Sequence, residues 1–256
     1  MLSPDSGLSV ARLFVREGMV ISLLHFPTRN SRPQRAPLRR LGWLAVALLP
    51  LATQAASPVL QDFAAALRCT PDLVRGNALF SRCAACHRAD GSGSPDGVIP
   101  AIAAQHFRVV VRALVNYRHH QRWDPRMEHV SDDQQMSSIQ DIADLAAYIS
   151  ALPPTLGPLS GAGEYAAHGA QLYARACASC HGQDAQGLDQ GGFPRLAGQH
   201  YEYLLRQMHD AIEERRPTFA PEHARLFEHF DRADFIGLSD YLSRLTPAPG
   251  SALARP

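Results

Sequence analysis

A five-residue pattern, C-x-x-C-H, occurs twice in this chain of 256 residues. Two cysteines one helical turn apart can form thioether bonds to the two vinyl groups of one haem, and the histidine that follows then lies beneath the iron as its proximal ligand. A zinc half-site or a redox dithiol also uses C-x-x-C, but neither needs a histidine directly after it. The sequence therefore predicts two covalently bound haem c groups. The attachment residues are Cys83, Cys86, Cys177 and Cys180, and the proximal ligands are His87 and His181.

Residues 1–56 have the order of a secretory signal peptide. Four arginines between positions 32 and 40 precede an apolar run at 41–49, and small residues follow at 53–57. The apolar run is too short to span a bilayer comfortably. We expect translation from Met19 and cleavage after Ala55 or Ala56. Because c-type haem is attached outside the cytoplasm, the mature protein is predicted to be periplasmic.

Removal of the leader makes the chain weakly acidic. The whole sequence has 25 basic and 24 acidic residues, of which seven and two lie before Ala56, so 18 arginines and 22 acids remain. This balance argues against binding to nucleic acid or to anionic lipid. It fits a soluble shuttle that docks on a basic patch of its redox partner proteins, one of which could be a membrane-bound respiratory complex. No small-molecule substrate is expected.

The mature chain is an internal repeat. The constant offset that carries Cys83 onto Cys177 superposes the two haem motifs, and it also aligns Pro100 with Pro194, Gln105 with Gln199 and Arg122 with Arg216. We call it the repeat offset. A segment rich in proline and glycine separates the copies and has the composition of a linker. The predicted organisation is a first domain at 57–152, a linker at 153–163 and a second domain at 164–256.

Each copy has the same predicted helices. One helix opens at Thr70-Pro71-Asp72 and leads into the first haem motif, and its counterpart leads into the second. Apolar stripes of helical period indicate helices at 105–117 and 199–215, and again at 141–149 and 234–242. The segment before each final helix, rich in Arg, Pro and His, is predicted to be irregular. Because no stretch alternates over any length as a strand would, the predicted fold class is all-α.

The two copies resemble the class I cytochrome c fold, and the tandem resembles the dihaem cytochrome c4 family. Besides the haem motifs, the resemblance rests on three stretches: IPAIAAQH at 99–106, FPRLAGQH at 193–200 and DIADLAAY at 141–148. It covers about residues 70–246 and implies two tandem domains, each wrapped around one covalent haem, that pass electrons. It also implies that the Pro100 and Pro194 carbonyls accept a hydrogen bond from the proximal histidines.

The distal ligands depart from that family, in which a methionine precedes the final helix. The second copy has no methionine after Met208. His223 follows His181 at the same sequence separation as His129 follows His87, so the two histidines are in register across the repeat. We therefore predict bis-histidine ligation at both haems, with Met127 as the alternative to His129. His229 is a rival to His223, and Met136 and Met208 are predicted to be core residues.

Several other polar residues have open interpretations. Arg122 and Arg216 could pair with haem propionates or lie exposed on loops. His106 and His200 match the family pattern and could lie near a haem edge. Cys69 is the one cysteine outside the motifs and is predicted to be a small buried residue or a residue of a helix-capping region, rather than an iron ligand.

Three functions remain open from the sequence. The leading prediction is a periplasmic electron carrier that is not an enzyme. The alternative is a dihaem oxidoreductase, similar to a thiosulfate dehydrogenase or a peroxidase, which would need one open or labile distal site. A third possibility is an electron-transfer subunit of a larger complex, which would carry the same haems.

Overall fold

The computed structural model describes residues 56–156 and 160–248, so the predicted signal peptide, Ala56 apart, lies outside the described residues. Over these two ranges the chain is helical, with no strand and one isolated β-bridge between Leu188 and Phe193. The prediction of an all-α fold is therefore confirmed. The first half contains α1 (Pro58–Arg68), α2 (Leu73–His87), α3 (Phe107–Arg118), α4 (Pro125–Ser131) and α5 (Ile139–Ala151). The second half contains α6 (Ala166–Ala176), α7 (Ala178–His181), α8 (Tyr201–Ile212), α9 (Pro221–Phe227) and α10 (Arg232–Arg244).

Three helices were missing from the sequence analysis. Helix α1 precedes the first predicted element, and α4 and α9 lie in the two segments that were predicted to be irregular. Both α4 and α9 have seven residues, which is too short for a hydrophobic period to show. Proline at the first helical position, with its fixed φ, begins each of these three helices. None of the described helices is long and apolar enough to cross a membrane.

The core of the first half forms where α2 crosses α5. Gly76 allows the close approach, because a Cβ there would collide with the backbone carbonyl of Asp144. Phe80 is buried at the crossing, and its ring centroid lies 5.2 Å from that of Tyr148. Helix α3 adds buried aliphatic residues to the same cluster. A capping box, in which Ser138 and the third helical residue bond to each other's backbone N–H, fixes where α5 begins.

The second half repeats this crossing with α6 and α10. Here glycine is present on both helices, since a Cβ on Gly169 would collide with the carbonyl of Gly237. Tyr173 and Tyr241 pack beside the crossing with ring centroids 5.6 Å apart. A capping box at Asp231 begins α10, as the corresponding box begins α5. Each half thus has a hydrophobic core of its own.

Two glutamines join the halves by matching hydrogen bonds. The Gln105 side chain accepts from the backbone N–H of Arg195 at 2.9 Å and donates to the carbonyl of the same residue at 3.0 Å. Gln199 does the same to Ala101, at 3.0 Å and 2.7 Å. Under the repeat offset each glutamine corresponds to the other, and Ala101 corresponds to Arg195. The contacts therefore obey a local twofold relation.

Two histidines extend the same interface. His106 Nε2 lies 2.8 Å from the carbonyl of Gln186, and His200 Nε2 lies 2.8 Å from the carbonyl of Ser92. These pairs also exchange under the repeat offset. The side chain of His200 is completely buried. The sequence suggested a position near a haem edge for both histidines. The structure assigns them a further role, because both rings bind the backbone of the opposite half.

The helix crossing gives a first prediction. Gly169→Ala places a methyl group against the Gly237 carbonyl, and overpacking of this kind costs about 1–3 kcal/mol of unfolding free energy. Urea unfolding followed by far-ultraviolet circular dichroism measures the loss. The control is Gln171→Ala on the exposed face of α6, which should stay within about 0.5 kcal/mol of the wild type. A gain in stability, as glycine-to-alanine changes give in an uncrowded helix, would contradict the crossing.

The glutamine contacts give a second prediction. Gln105→Ala combined with Gln199→Ala removes four hydrogen bonds between the halves, each worth about 1 kcal/mol. We expect the calorimetric unfolding transition to split into two, because each half keeps its own core. Gln183→Ala, at an exposed position, is the control. One unsplit transition at the wild-type temperature in the double variant would show that the glutamines do not couple the halves.

Candidate haem-binding sites

The proximal histidines are held in the same way in both halves. His87 is the last residue of α2 and His181 is the last residue of α7, and both are buried. The Nδ1 atom of each ring lies 3.0 Å from a proline carbonyl, of Pro100 and Pro194 respectively. A carbonyl can only accept, so Nδ1 carries the proton and Nε2 is free for a metal. Burial lowers the pKa of both histidines, so the rings are neutral, as a metal ligand must be. These contacts are the ones that the family resemblance implied.

The motif cysteines place one thiol inside and one outside each site. Cys83 and Cys177 are half-buried, whereas Cys86 and Cys180 are exposed. Burial raises the pKa of both half-buried thiols to about 11, so they are protonated at neutral pH. All four thiols are free to form thioethers. The exposed pair marks the edge at which each site meets solvent.

A cavity of about 610 Å³ lies against both motifs. Its walls are mainly apolar and include Leu114, Leu145 and Ile149 from the first half and Leu204 and Leu238 from the second. This lining suits a flat apolar macrocycle. The cavity, the neutral histidines and the free thiols together fit two haem c groups.

Six arginines line the cavity, and three of them, Arg122, Arg195 and Arg216, have buried guanidinium nitrogen atoms or lie buried themselves. Arg122 and Arg216 both donate to Oε1 of Gln207, at 2.6 Å and 2.9 Å, although they come from different halves. Burial and the proximity of Arg122 lower the pKa of Arg216 to about 9. Nε of Arg216, and Nε and Nη1 of Arg195, are buried and find no hydrogen-bond partner among the described residues.

Buried guanidinium groups require anionic partners. Haem propionates would supply them here, since Arg122, Arg195 and Arg216 all line the cavity. Arg122 was predicted either to pair with a haem propionate or to lie exposed on a loop. Because its side chain is buried, the exposed position is wrong. The sequence analysis missed Arg195 and Gln207. Neither position repeats its residue type under the repeat offset, so the duplication offered no signal.

His223 lies opposite His181 across the second site. The two ring centroids are 6.0 Å apart, with an interplanar angle of 68°. When two imidazoles bind the same metal ion from opposite sides, each through a bond of about 2.0 Å, their ring centres lie about 6 Å apart. Phe219 and Phe227 pack against His223, at 4.6 Å and 5.8 Å between ring centroids. The spacing therefore fits an iron between the two rings.

The protonation of His223 suits the same role. Burial lowers its pKa, and the neighbouring His181 and Arg216 lower it further. Its Nδ1 atom is buried without a hydrogen-bond partner in the described residues. The ring is thus neutral and has a nitrogen available. The rival His229 is exposed after the end of α9 and does not line the cavity.

The first site has Met127 in the corresponding place. Met127 lies on α4, packs against the first core and lines the cavity. His129 lies on the outer side of the same helix, with 70% of its side chain exposed and Nδ1 3.5 Å from Asp132. It does not line the cavity. The structure therefore places Met127 at the first site. His129, the distal ligand that the sequence favoured, does not reach it.

The reason is a shift in register between the copies. His129 and His223 are equally far along the chain from their proximal histidines, but α9 begins two positions further from His181 than α4 begins from His87. Counted from the proline that begins each helix, His223 is the third residue and corresponds to Met127. The equal spacing that favoured His129 was counted across a loop that is two positions longer in the second copy.

The remaining candidates have structural positions. Met136 and Met208 are buried in the first and second cores, as predicted. Cys69 caps the end of α1, and its Sγ atom lies 3.5 Å from the carbonyl of Ala65. It is half-buried and does not line the cavity.

Comparisons with known proteins agree with this geometry. The sequence matches the family Cytochrome c over residues 73–153 and 166–246. Cytochrome c4 of Pseudomonas aeruginosa is 32% identical over 148 residues, which make up 56% of this chain and 72% of that protein. The crystal structure of reduced cytochrome c4 from Pseudomonas stutzeri superposes with a TM-score of 0.62 at 26% identity, covering 69% of this chain and 100% of that chain. The thiosulfate dehydrogenase (TsdBA) of Marichromatium purpuratum has a TM-score of 0.59 at 25% identity, covering 68% of this chain and 40% of that chain.

Two matches to one family in a single chain correspond to the two sites described above. Each match contains one C-x-x-C-H motif, one proximal histidine with its proline carbonyl and one final helix. Cytochromes c4 are among the relatives that cover more than half of this chain. The chain therefore belongs to the cytochrome c family and is a dihaem, cytochrome c4-like electron carrier with two covalently bound haem c groups.

Proposed function

We propose that this carrier has unequal axial ligation, with His87 and Met127 at the first haem and His181 and His223 at the second. The observation that carries the proposal is the 6.0 Å spacing of the His181 and His223 rings, at a helix position that Met127 fills in the first domain. This replaces the hypothesis of bis-histidine ligation at both haems. The motif cysteines, the proximal histidines and the proline carbonyls are all duplicated, so the ligand pair is the main difference between the sites.

Unequal ligation gives the two haems different reduction potentials. A methionine thioether stabilises Fe(II) and raises the potential, whereas a second imidazole does not. The first haem is therefore the stronger electron acceptor of the two. One electron at a time passes from the second domain to the first, and then to a redox partner.

The site of action is proposed to be the periplasm. The support is the order of residues 1–56, in which arginines, an apolar run and small residues follow one another. The domain boundaries proposed from the sequence, 57–152 and 164–256 around a linker at 153–163, accommodate both family matches, except that the first match ends at residue 153. The mature chain would therefore consist of two haem domains and their linker.

A dihaem oxidoreductase is the second candidate, and the similarity to a thiosulfate dehydrogenase supports it. Such an enzyme needs a distal position that opens to substrate. Both distal positions here hold a side chain that binds iron well, Met127 and His223, and both side chains are packed by core residues. The carrier is therefore the better-supported function, whether it acts as a free protein or within a larger complex.

The first-haem ligand is tested by Met127→Ala. A methionine–iron bond gives the oxidised protein a weak near-infrared absorption band, and bis-histidine haems lack it. We expect the band in the wild type, its loss in Met127→Ala and its persistence in the control His129→Ala. Loss of the band in His129→Ala together with persistence in Met127→Ala would reject the assignment, and complete absence from the wild type would restore bis-histidine ligation at both haems.

The second-haem ligand is tested by His223→Ala. Removal of the imidazole leaves the iron without a distal ligand, so carbon monoxide should bind the reduced variant and change its spectrum. The reduced wild type and the control His229→Ala should remain unchanged. Carbon monoxide binding to the reduced wild type would indicate an open distal site and favour the oxidoreductase. If His229→Ala binds it and His223→Ala does not, the ligand is His229.

A further inference from the structure

The exposed edge of the first haem motif has a basic rim. Arg82 and Arg126 line the cavity, as do the exposed apolar residues Val98 and Val130. Arg82 lies near Cys83, and Arg126 lies near the exposed Cys86. The rim therefore surrounds the point at which the macrocycle would come nearest to solvent.

Much of this positive charge faces outward. Nη1 of Arg82 donates to the carbonyl of Gln135 at 2.7 Å, and no described carboxylate pairs with it. Arg126 is paired with Asp124 at 3.1 Å, but 61% of its side chain is exposed, against 18% for the aspartate. The guanidinium groups are thus accessible to another molecule, while Asp124, the carboxylate that pairs with Arg126, is mostly buried.

The second domain lacks both arginines at the corresponding positions. The repeat offset that aligns the haem motifs places Ala176 opposite Arg82. Counted from the proline that begins the distal helix, Glu222 corresponds to Arg126 and is 74% exposed. Glu222 lies 3.6 Å from Arg225, so this edge carries little net charge. Duplication preserved the haem sites and changed the charge at their edges.

We propose that the Arg82–Arg126 rim is the docking surface for the electron acceptor, a redox protein whose own cofactor edge is surrounded by carboxylates. This partner differs from the basic patch that the net charge of the chain predicts, because docking depends on the local charge at the contact. The inference rests on the proposed function, because the methionine-ligated haem is the one from which electrons leave. In the transfer the first iron passes from Fe(II) to Fe(III) and the partner's cofactor gains that electron. No proton moves and no bond is made or broken. Complementary charge aligns the two edges, and the exposed Val98 and Val130 give apolar contact at the centre.

The test uses the reduced, haem-loaded protein and small oxidants of opposite charge. Stopped-flow oxidation by anionic hexacyanoferrate(III) is compared with oxidation by cationic tris(phenanthroline)cobalt(III). The variant Arg82→Ala with Arg126→Glu gives the first domain the residues that the second domain has. The control Arg68→Ala with Arg232→Glu makes the same change in net charge at exposed positions that do not line the cavity.

At low ionic strength the rim variant should react with the anionic oxidant about ten-fold more slowly, and this difference should shrink as salt screens the charges. Its reaction with the cationic oxidant should accelerate. The control should change either rate by less than about two-fold, since steering depends on local rather than net charge. Equal slowing in the rim variant and the control would overturn the proposal, as would rates that do not depend on salt.

Two further measurements distinguish failure of the proposed docking surface from failure of the proposed ligation. The near-infrared band of each sample reports the first-haem ligand, so a band without a rim effect rejects the docking surface alone. A rim effect without the band rejects the ligation and leaves the surface. Sedimentation at low ionic strength detects the other possible occupant: a dimer of the wild type that the rim variant abolishes would assign the surface to a second copy of this chain and overturn the proposal.

Discussion

Burial of the haem is the interaction on which the rest of the structure depends. The side chains of the two domains leave a mainly apolar cavity of about 610 Å³ between them. Without the cofactor this apolar lining would be exposed to water, at a cost of about 25 cal/mol for each Å² of apolar surface. The helices cannot collapse to fill it, because the glycine crossings already hold them in backbone contact. The cofactor therefore completes the core, and attachment through four cysteines keeps it there.

The same cavity explains why buried charge is tolerated at the domain interface. Arg122 and Arg216 share one amide oxygen, on Gln207, and burial together with the nearby charge of Arg122 lowers the pKa of Arg216. Hydrogen bonds to a neutral amide do not balance two cations, whereas propionate carboxylates would. Each arginine comes from a different domain, so a propionate that paired with both would stabilise the contact between the domains. Cofactor binding would then favour domain assembly, in addition to the hydrogen bonds of the two glutamines.

The fold and the proximal half of each site could be predicted because their residues form motifs that recur in both copies. The haem motifs, the proline carbonyls and the final helices all align under a nearly constant shift. The distal half of each site has no such recurring motif. Between Arg122 and the next helix the register slips by two positions, and a histidine and a methionine two positions apart then exchange their apparent roles. Contacts that are not duplicated, such as those of Arg195 and Gln207, were invisible for the same reason: a repeat shows only what both copies keep.

The differences between the two copies that affect ligand type and edge charge are concentrated in the distal segments. The contacts that set the position of one domain against the other exchange in matched pairs, Gln105 with Gln199 and His106 with His200. Divergence at those positions would move one haem relative to the other and change the rate of transfer between them. A ligand on a short surface helix can change without that penalty. Under the proposed ligation, an imidazole on α9 in place of a thioether, with a glutamate in place of an arginine one residue earlier, would alter the potential and the charge at one haem edge only. The direction of transfer would then be set by the distal segments, while the contacts between the domains stay symmetric.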